Sequence, residues 1–127
     1  HGKLSPYVYT VDRHRTNSIV RMDSTGNGAE TLITEKAVGT STHILRVRAS
    51  PDEHYVAFVV GRSPLIPIPF AGHYEVHLLD LHSGKKARAP VNYGYVSGLL
   101  WSGDSKRFYY AAIDNEEHGI YRVDVIP

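Results

Sequence analysis

The sequence contains no cysteine, so disulfide bonds and thiolate metal sites are excluded. It also has almost no excess charge, because 14 Lys and Arg residues against 13 Asp and Glu residues leave a formal net charge of +1. This balance predicts no general attraction to nucleic acid or to an anionic membrane surface. No apolar run approaches the roughly 18–20 residues that a membrane-spanning helix needs. We therefore expect a globular domain with no membrane span in this chain.

Helical periodicity is missing as well. The apolar residues form short runs of period two, and 11 Gly and 7 Pro residues are spread along the chain. There are about ten short strand candidates at a spacing of roughly 8–15 residues, which is typical of β-sandwiches, barrels and propellers. The 127 residues suffice for one domain with one sizeable core. The predicted fold class is all-β.

Sequence signatures of catalysis are absent too. The nearest approach to the G-x-S-x-G pattern of serine hydrolases is the segment 94–98, in which Ser97 stands one position late. Neither a phosphate-binding loop of the P-loop type nor a dinucleotide-binding fingerprint occurs. The sequence therefore predicts no catalytic residue and no cofactor in this chain.

What the sequence does contain is an internal repeat. Residues 49–59 and 101–111 both read as a strand end, a Ser-x-Asp turn and an apolar strand, with Asp52 and Asp104 at matching places. An acid–base role would require these two carboxylates to lie together, whereas equivalent turns of successive units lie well apart. We therefore predict that both aspartates cap backbone N–H groups in turns.

A second element of the sequence occurs three times. The segments 19–24, 76–81 and 120–125 align with one another, and each strand ends on an aspartate. Those aspartates are Asp23, Asp80 and Asp124. Their spacing is uneven, but a Pro-rich insertion between Val60 and Tyr74 accounts for most of the difference. Without that insertion the unit is roughly 45 residues long, as in a four-stranded propeller blade.

These repeats resemble a known pattern. Trp-Ser-x-Asp-x-Lys-Arg at 101–107 and Ala-Ser-Pro-Asp at 49–52 are similar to the Trp-Ser-Pro-Asp-Gly-Lys repeat of TolB-type, WD-like β-propellers. The same repeat occurs in the propeller domains of prolyl oligopeptidase-type enzymes. The sequence departs from it at Gly103, where Pro is usual, and at Glu53 and Ser105, where Gly is usual. The resemblance implies a propeller fold, and a fold alone does not imply a function.

The strand candidates can be assigned to blades of four strands, a to d. The chain then reads b-c-d, a-b-c-d and a-b-c, with blade parts at about residues 5–42, 43–94 and 95–127. This is about two and a half antiparallel blades, too few to close a ring of roughly four to eight. Both ends would expose unpaired strand edges. We expect either a fragment of a larger β-propeller or a partial propeller that self-associates.

Two groups of apolar and aromatic residues are candidate binding sites. The Pro-rich insertion, residues 61–72, is too apolar for an idle loop, so its side chains either cover core or contact a partner. A pair of tyrosines before residue 96 either packs between blades or contributes to a binding rim. The candidate binding residues are Leu65, Ile66, Ile68, Phe70, Tyr93 and Tyr95.

A weaker hypothesis is a metal site. His73, Glu75 and His77 alternate along one predicted strand, so they share a face and could converge on one ion. The simpler interpretation is an edge or solvent face of mixed polarity. We predict no bound metal.

The predicted function is a non-enzymatic propeller scaffold that binds a protein or another ligand. One alternative is the propeller portion of a prolyl oligopeptidase- or dipeptidyl peptidase-type serine peptidase whose catalytic domain lies outside this chain. A second alternative is an extracytoplasmic sensor domain of a membrane-bound regulator. The predicted partner is a protein, the rest of a parent propeller or a second copy of the chain. The residues do not decide the compartment; the resemblance alone favours a periplasmic or other extracytoplasmic one.

Overall fold

The computed structural model of the protein describes residues 7–12, 18–34, 42–62, 73–89, 93–114 and 117–125. Within these residues there are ten β-strands and no helix. The strands are β1 (Tyr7–Asp12), β2 (Ser18–Asp23), β3 (Glu30–Ile33), β4 (Thr42–Ala49), β5 (Tyr55–Arg62), β6 (His73–Asp80), β7 (Lys86–Arg88), β8 (Tyr95–Trp101), β9 (Arg107–Asp114) and β10 (Glu117–Asp124).

The strands form three antiparallel sheets in which neighbours in the chain are neighbours in space. The first sheet has the order β1-β2-β3, the second β4-β5-β6-β7 and the third β8-β9-β10. Three, four and three strands correspond to the predicted b-c-d, a-b-c-d and a-b-c series, so the all-β fold of about two and a half four-stranded units is confirmed.

The second sheet is buried on both of its faces. Strand β5 places Val56, Phe58 and Val60 in a core shared with the first sheet. The alternate residues Ala57 and Val59 lie in a second core, shared with the third sheet. Because successive side chains of a strand point to opposite faces, a strand covered on both sides must be apolar at every position. This explains the unbroken apolar run that begins at Tyr55.

The Ser-x-Asp segments form the turns that were predicted. Asp52 Oδ1 accepts hydrogen bonds from Ser50 Oγ at 2.7 Å and from His54 N at 3.0 Å. In the third sheet Asp104 Oδ1 accepts from Ser102 Oγ at 2.6 Å and from Lys106 N at 3.0 Å. Each carboxylate thus holds the turn that connects the first two strands of its sheet, as an aspartate in a turn commonly does.

The two positions at which glycine is usual have left-handed backbone conformations. Glu53 has a φ of 59° and Ser105 a φ of 62°. A non-glycine residue in this region costs roughly 1–2 kcal/mol, because its Cβ crowds the backbone. Glu53 and Ser105 therefore adopt the backbone conformation that glycine adopts without strain, and each adds strain to its turn.

Both strained side chains make a hydrogen bond to the preceding sheet. Tyr9 Oη donates to Glu53 Oε1 at 3.0 Å, which joins the first sheet to the second. Asp52 N donates to Ser105 Oγ at 3.0 Å, which joins the second sheet to the third. The turns of Asp52 and Asp104 therefore meet, and the expectation that equivalent turns lie well apart is wrong. Trp101 Nε1 adds a third such bond by donating to Arg48 O at 3.0 Å. The side chains that replace glycine thus hold adjacent sheets in register.

The aspartates that end β2 and β6 cap the following turns. Asp23 Oδ1 accepts from the backbone N of Thr25 and of Asn27, both at 2.9 Å. Asp80 Oδ1 accepts from His82 N at 2.8 Å, so both aspartates cap the N–H two residues on, although the second turn is one residue longer. Each turn contains a glycine with positive φ, a conformation that strains other residues: Gly26 in the first turn and Gly84 in the second.

Substitution of Ser105 tests this account of the strained turn. Ser105→Ala keeps the left-handed conformation but removes the acceptor of the Asp52 N–H, so the free energy of unfolding should fall by about 1 kcal/mol. Ser105→Gly removes the same hydrogen bond and relieves strain of similar size, so its net effect should stay within about 0.5 kcal/mol of zero. Denaturant unfolding of the three proteins measures both values. Equal stabilities for the two variants would contradict the account.

Candidate functional site

The predicted site residues divide into those that the structure describes and those that it does not. Leu65, Ile66, Ile68 and Phe70 lie outside the described residues. The remaining predicted residues lie in two places. His73, Glu75 and His77 lie at the beginning of β6, and Tyr93 and Tyr95 lie just before and at the start of β8.

Both histidines of the β6 group contact the carboxylate between them. His73 Nε2 lies 2.9 Å from Glu75 Oε2, and His77 Nε2 lies 2.9 Å from Glu75 Oε1. An ionised carboxylate can only accept hydrogen bonds, so the Nε2 atom of each imidazole carries the proton and donates. The three side chains converge as their alternation along one strand suggested, and the carboxylate itself lies at the centre.

Two arginines complete this cluster and were missed by the sequence reasoning. Arg62 donates from Nε to Glu75 Oε2 at 2.9 Å and from Nη2 to Oε1 at 3.2 Å. Arg88 Nη1 donates to Glu75 Oε2 at 3.2 Å. No sequence signal joins these residues, because Arg62 ends β5 and Arg88 ends β7. Only the antiparallel register across the second sheet brings them to the carboxylate.

Burial and hydrogen bonding act in opposite directions on the Glu75 carboxyl. Glu75 is 1% exposed, and burial alone would raise its pKa. The hydrogen bonds from Arg62, His77 and His73 outweigh burial and hold the pKa of Glu75 far below its ordinary range. The pKa of His77 is lowered, because burial disfavours its charged form more than Glu75 favours it. At neutral pH the cluster therefore contains an ionised Glu75 and a neutral His77.

In this arrangement the Glu75 carboxylate is the hydrogen-bond acceptor at the centre of the cluster. The described residues contain no group of three His, Asp or Glu side chains that could hold a metal ion. Both Glu75 oxygens are already occupied by guanidinium and imidazole donors. The geometry instead ties β5, β6 and β7 together at the end of the sheet next to the Pro-rich insertion.

The two predicted tyrosines have different environments. Tyr93 is buried between the second and third sheets, where its ring packs against those of Tyr110 and Tyr121 and its hydroxyl hydrogen-bonds to that of Tyr110. Burial and that hydrogen bond raise the pKa of Tyr110. Tyr95 is exposed and meets the ring of Tyr74 edge-on at a centroid distance of 5.2 Å. Of these two tyrosines, Tyr95 is the one with an accessible ring.

The serines and aspartates of the repeat are committed to turns. Ser50 Oγ and Ser102 Oγ both donate to the aspartate of their own turn. The pKa of Asp104 is lowered by the hydrogen bonds from Ser102 and from Lys106 N, so this carboxyl is ionised at neutral pH and is no general acid. Among the described residues, neither serine is paired with a histidine in the manner of an activated nucleophile. Within the described residues, no helix is long and apolar enough to cross a membrane.

Among the described residues, the two most exposed large apolar side chains lie on the outer face of the third sheet, which points away from the second sheet. Ile120 is 81% exposed and Leu100 is 69% exposed. Ile120 pairs across the strands with Ala111, and Leu100 pairs with Tyr109. These four residues define the outer face. The sequence signal for this face is the apolar residue Ile120, which aligns with an apolar residue in each of the other two sheets.

That alignment shows what is unusual about the outer face. Ile19, Val76 and Ile120 each stand four residues before the aspartate that ends their strand. Ile19 is 0% exposed and Val76 is 1% exposed, because each is covered by the following sheet, whereas Ile120 is 81% exposed. The third sheet thus presents to solvent a position that the two preceding sheets bury.

No family model matches the chain, and no curated protein matches it in sequence. Solved structures do match. TolB from Acinetobacter baumannii has a TM-score of 0.61 and 21% sequence identity over 93% of this chain and 27% of that protein. A putative dipeptidyl aminopeptidase IV from Bacteroides ovatus has a TM-score of 0.58 and 10% identity over 95% of this chain and 22% of that protein. The tricorn protease has a TM-score of 0.58 and 14% identity over 87% of this chain and 12% of that protein.

These likenesses establish the fold and nothing finer. All three proteins contain β-propellers, so the chain has a TolB-like, propeller-type fold, as its repeats implied. The chain spans about a quarter or less of the length of each of them.

The state of His77 predicts a loss of stability in mild acid. Its pKa is lower in the folded protein than in the unfolded chain, so unfolding takes up a proton as the pH falls below about 6.5. The free energy of unfolding should therefore decrease between pH 7.5 and pH 5.5, by up to about 1.4 kcal/mol per pH unit for this group.

His77→Gln provides the comparison, because glutamine can still donate to Glu75 but does not titrate. Its stability should depend less steeply on pH than that of the original protein over the same range. Chemical unfolding at several pH values measures both profiles. Parallel profiles would show that His77 does not contribute.

Proposed function

We propose that this chain is a non-enzymatic segment of a β-propeller scaffold whose outer face binds another propeller sheet. The observation that carries the proposal is the exposure of Ile120, at a strand position that is buried in both preceding sheets. Burial of a large aliphatic side chain contributes about 1.5–3 kcal/mol, so Ile120 and Leu100 together offer a substantial gain to a covering sheet.

The first sheet supplies a complementary face. Three residues occupy equivalent positions, because each pairs with the residue just before the aspartate that ends the next strand. They are Val8, Val56 and Phe108. Val56 and Phe108 are covered by the preceding sheet, whereas Val8 is 44% exposed. Within the chain, the face that carries Ile19 packs against the face that carries Val56. In the same way, the face that carries Val76 packs against the face that carries Phe108. The same contact between chains would extend the stack.

The environment of the polar residues supports a non-enzymatic role. The hydroxyls of Ser50 and Ser102 are used in turns, and the Glu75 carboxylate is surrounded by four donor side chains. A segment of this kind would serve equally in a scaffold and in the propeller of a larger peptidase. The proposal concerns the binding role of the segment itself.

For the isolated chain, the available sheet is that of a second copy. We expect reversible self-association at concentrations up to about 100 μM, as for a modest apolar interface. Ile120→Asp and Val8→Asp should each weaken this association at least about tenfold, because each places a charge in the apolar contact. Analytical ultracentrifugation measures the dissociation constants.

Leu45→Asp is the matched control, because Leu45 is an exposed apolar residue of β4 that lies on neither face. It should leave the dissociation constant within about twofold, since it adds the same charge elsewhere. A strictly monomeric chain at 100 μM, or equal effects of all three substitutions, would contradict the proposal.

A further inference from the structure

The turn between β2 and β3 contains an asparagine followed by a glycine, Asn27 and Gly28. Of the four asparagines in the sequence, Asn27 is the one that precedes a glycine. Asparagine is chemically labile, because the backbone nitrogen of the next residue can attack its side-chain amide. Glycine hinders this attack least, since it has no Cβ beside the attacking nitrogen. This residue pair is therefore suited to an intramolecular reaction.

The structure leaves both residues accessible. Asn27 and Gly28 are exposed, and no atom beyond the chain neighbours lies within 4 Å of the place where a Cβ of Gly28 would stand. Within the described residues, the N–H of Gly28 makes no hydrogen bond. The strand ladder that would hold this nitrogen begins later, at Glu30. The turn thus leaves the nitrogen able to react.

The side-chain amide of Asn27 belongs to a short chain of hydrogen bonds. Asn27 Nδ2 donates to Thr25 Oγ1 at 3.0 Å, and this hydroxyl donates to Asp23 Oδ1 at 2.6 Å. The hydrogen bonds from Thr25 and from Asn27 N lower the pKa of Asp23, so its carboxylate is ionised at neutral pH. The turn therefore uses the Asn27 amide as a donor close to a negative charge.

We propose that Asn27 is a site of spontaneous deamidation. The Gly28 nitrogen, after losing its proton to a base in solution, forms a bond to Asn27 Cγ. The bond from Cγ to Nδ2 breaks, and Nδ2 leaves as ammonia. Water then opens the cyclic imide at either of its carbonyl groups. The products are an aspartate or an isoaspartate at position 27, and the formal net charge changes from +1 to 0.

Both products disrupt the turn. The Thr25 hydroxyl has one proton, which it donates to Asp23, so it cannot also donate to a new carboxylate at position 27. In the isoaspartate the main chain runs through the former side-chain carbons. The carbonyl that accepts from Asp23 N at 2.9 Å then leaves the main chain. The deamidated protein should therefore unfold at a lower denaturant concentration, and the isoaspartate form at the lowest.

The reaction is measured by incubating the 127-residue chain in mildly alkaline buffer and digesting it with trypsin in mildly acidic buffer. The sequence contains no glutamine, and the tryptic peptide 22–36 contains Asn27 as its only side-chain amide. Mass spectrometry of this peptide therefore assigns amide loss to Asn27, and an isoaspartate methyltransferase assay detects the isomer. Each of the other three asparagines lies in a separate tryptic peptide and should deamidate at least about tenfold more slowly.

Two glycine variants test the role of the Gly28 nitrogen. Gly28→Ala places a Cβ beside this nitrogen and should slow the reaction at Asn27 at least about fivefold. Gly84→Ala is the matched control, because Gly84 also has a positive φ and open space around it but follows Ser83. It introduces similar strain and should leave the rate at Asn27 within about twofold.

A synthetic peptide of residues 22–36 shows the reaction without the fold. Because the turn is exposed, the folded chain should deamidate at a rate within about tenfold of that of the peptide. A larger reduction in the folded chain would show that the turn protects Asn27 and would overturn the proposal. Equal rates for Gly28→Ala and the original chain, or a rate that does not increase with pH, would exclude attack by the Gly28 nitrogen.

Discussion

The burial of β5 on both faces is the constraint on which the rest of this structure depends. A sheet with two apolar faces is stable only when a second sheet covers each of them, because exposed apolar area is costly in water. The second sheet meets this requirement within the chain. The first and third sheets are built on the same pattern, but the described residues cover only one face of each, and Val8 and Ile120 are exposed. The interaction surfaces therefore follow from the packing rule that makes the core.

Stacked sheets also need a fixed register, and the strained turns supply part of it. Glu53 and Ser105 stand where glycine would be unstrained, yet each makes a hydrogen bond to the preceding sheet that glycine cannot make. A strain of roughly 1–2 kcal/mol is comparable to one hydrogen bond. The net effect on stability is therefore small, and what these residues add is a specific alignment between neighbouring sheets. Trp101 contributes in the same way from β8.

The Glu75 cluster serves the second sheet itself. A buried carboxylate is tolerated only when its lone pairs are satisfied, and Glu75 is bonded to two guanidinium groups and two imidazoles. Arg62 and Arg88 reach it from the strands on either side of β6. The cluster thus connects three strands at the end of the sheet where the Pro-rich insertion leaves and re-enters. Burial lowers the pKa of His77, which keeps this imidazole neutral within the cluster at neutral pH.

The sequence by itself determined the fold, because the signals for it are local: runs of period two, Ser-x-Asp turns at Asp52 and Asp104, and aspartates that end equivalent strands. The alternation of His73, Glu75 and His77 also placed these three side chains together. Only the tertiary structure decided what lies around them, since Arg62 and Arg88 reach Glu75 through strand register. It likewise separated buried Tyr93 from exposed Tyr95, and exposed Ile120 from its buried counterpart Val76. The exposure of a side chain depends on whether a neighbouring sheet covers its face. Strands with the same sequence pattern can differ in this, so the pattern does not predict it.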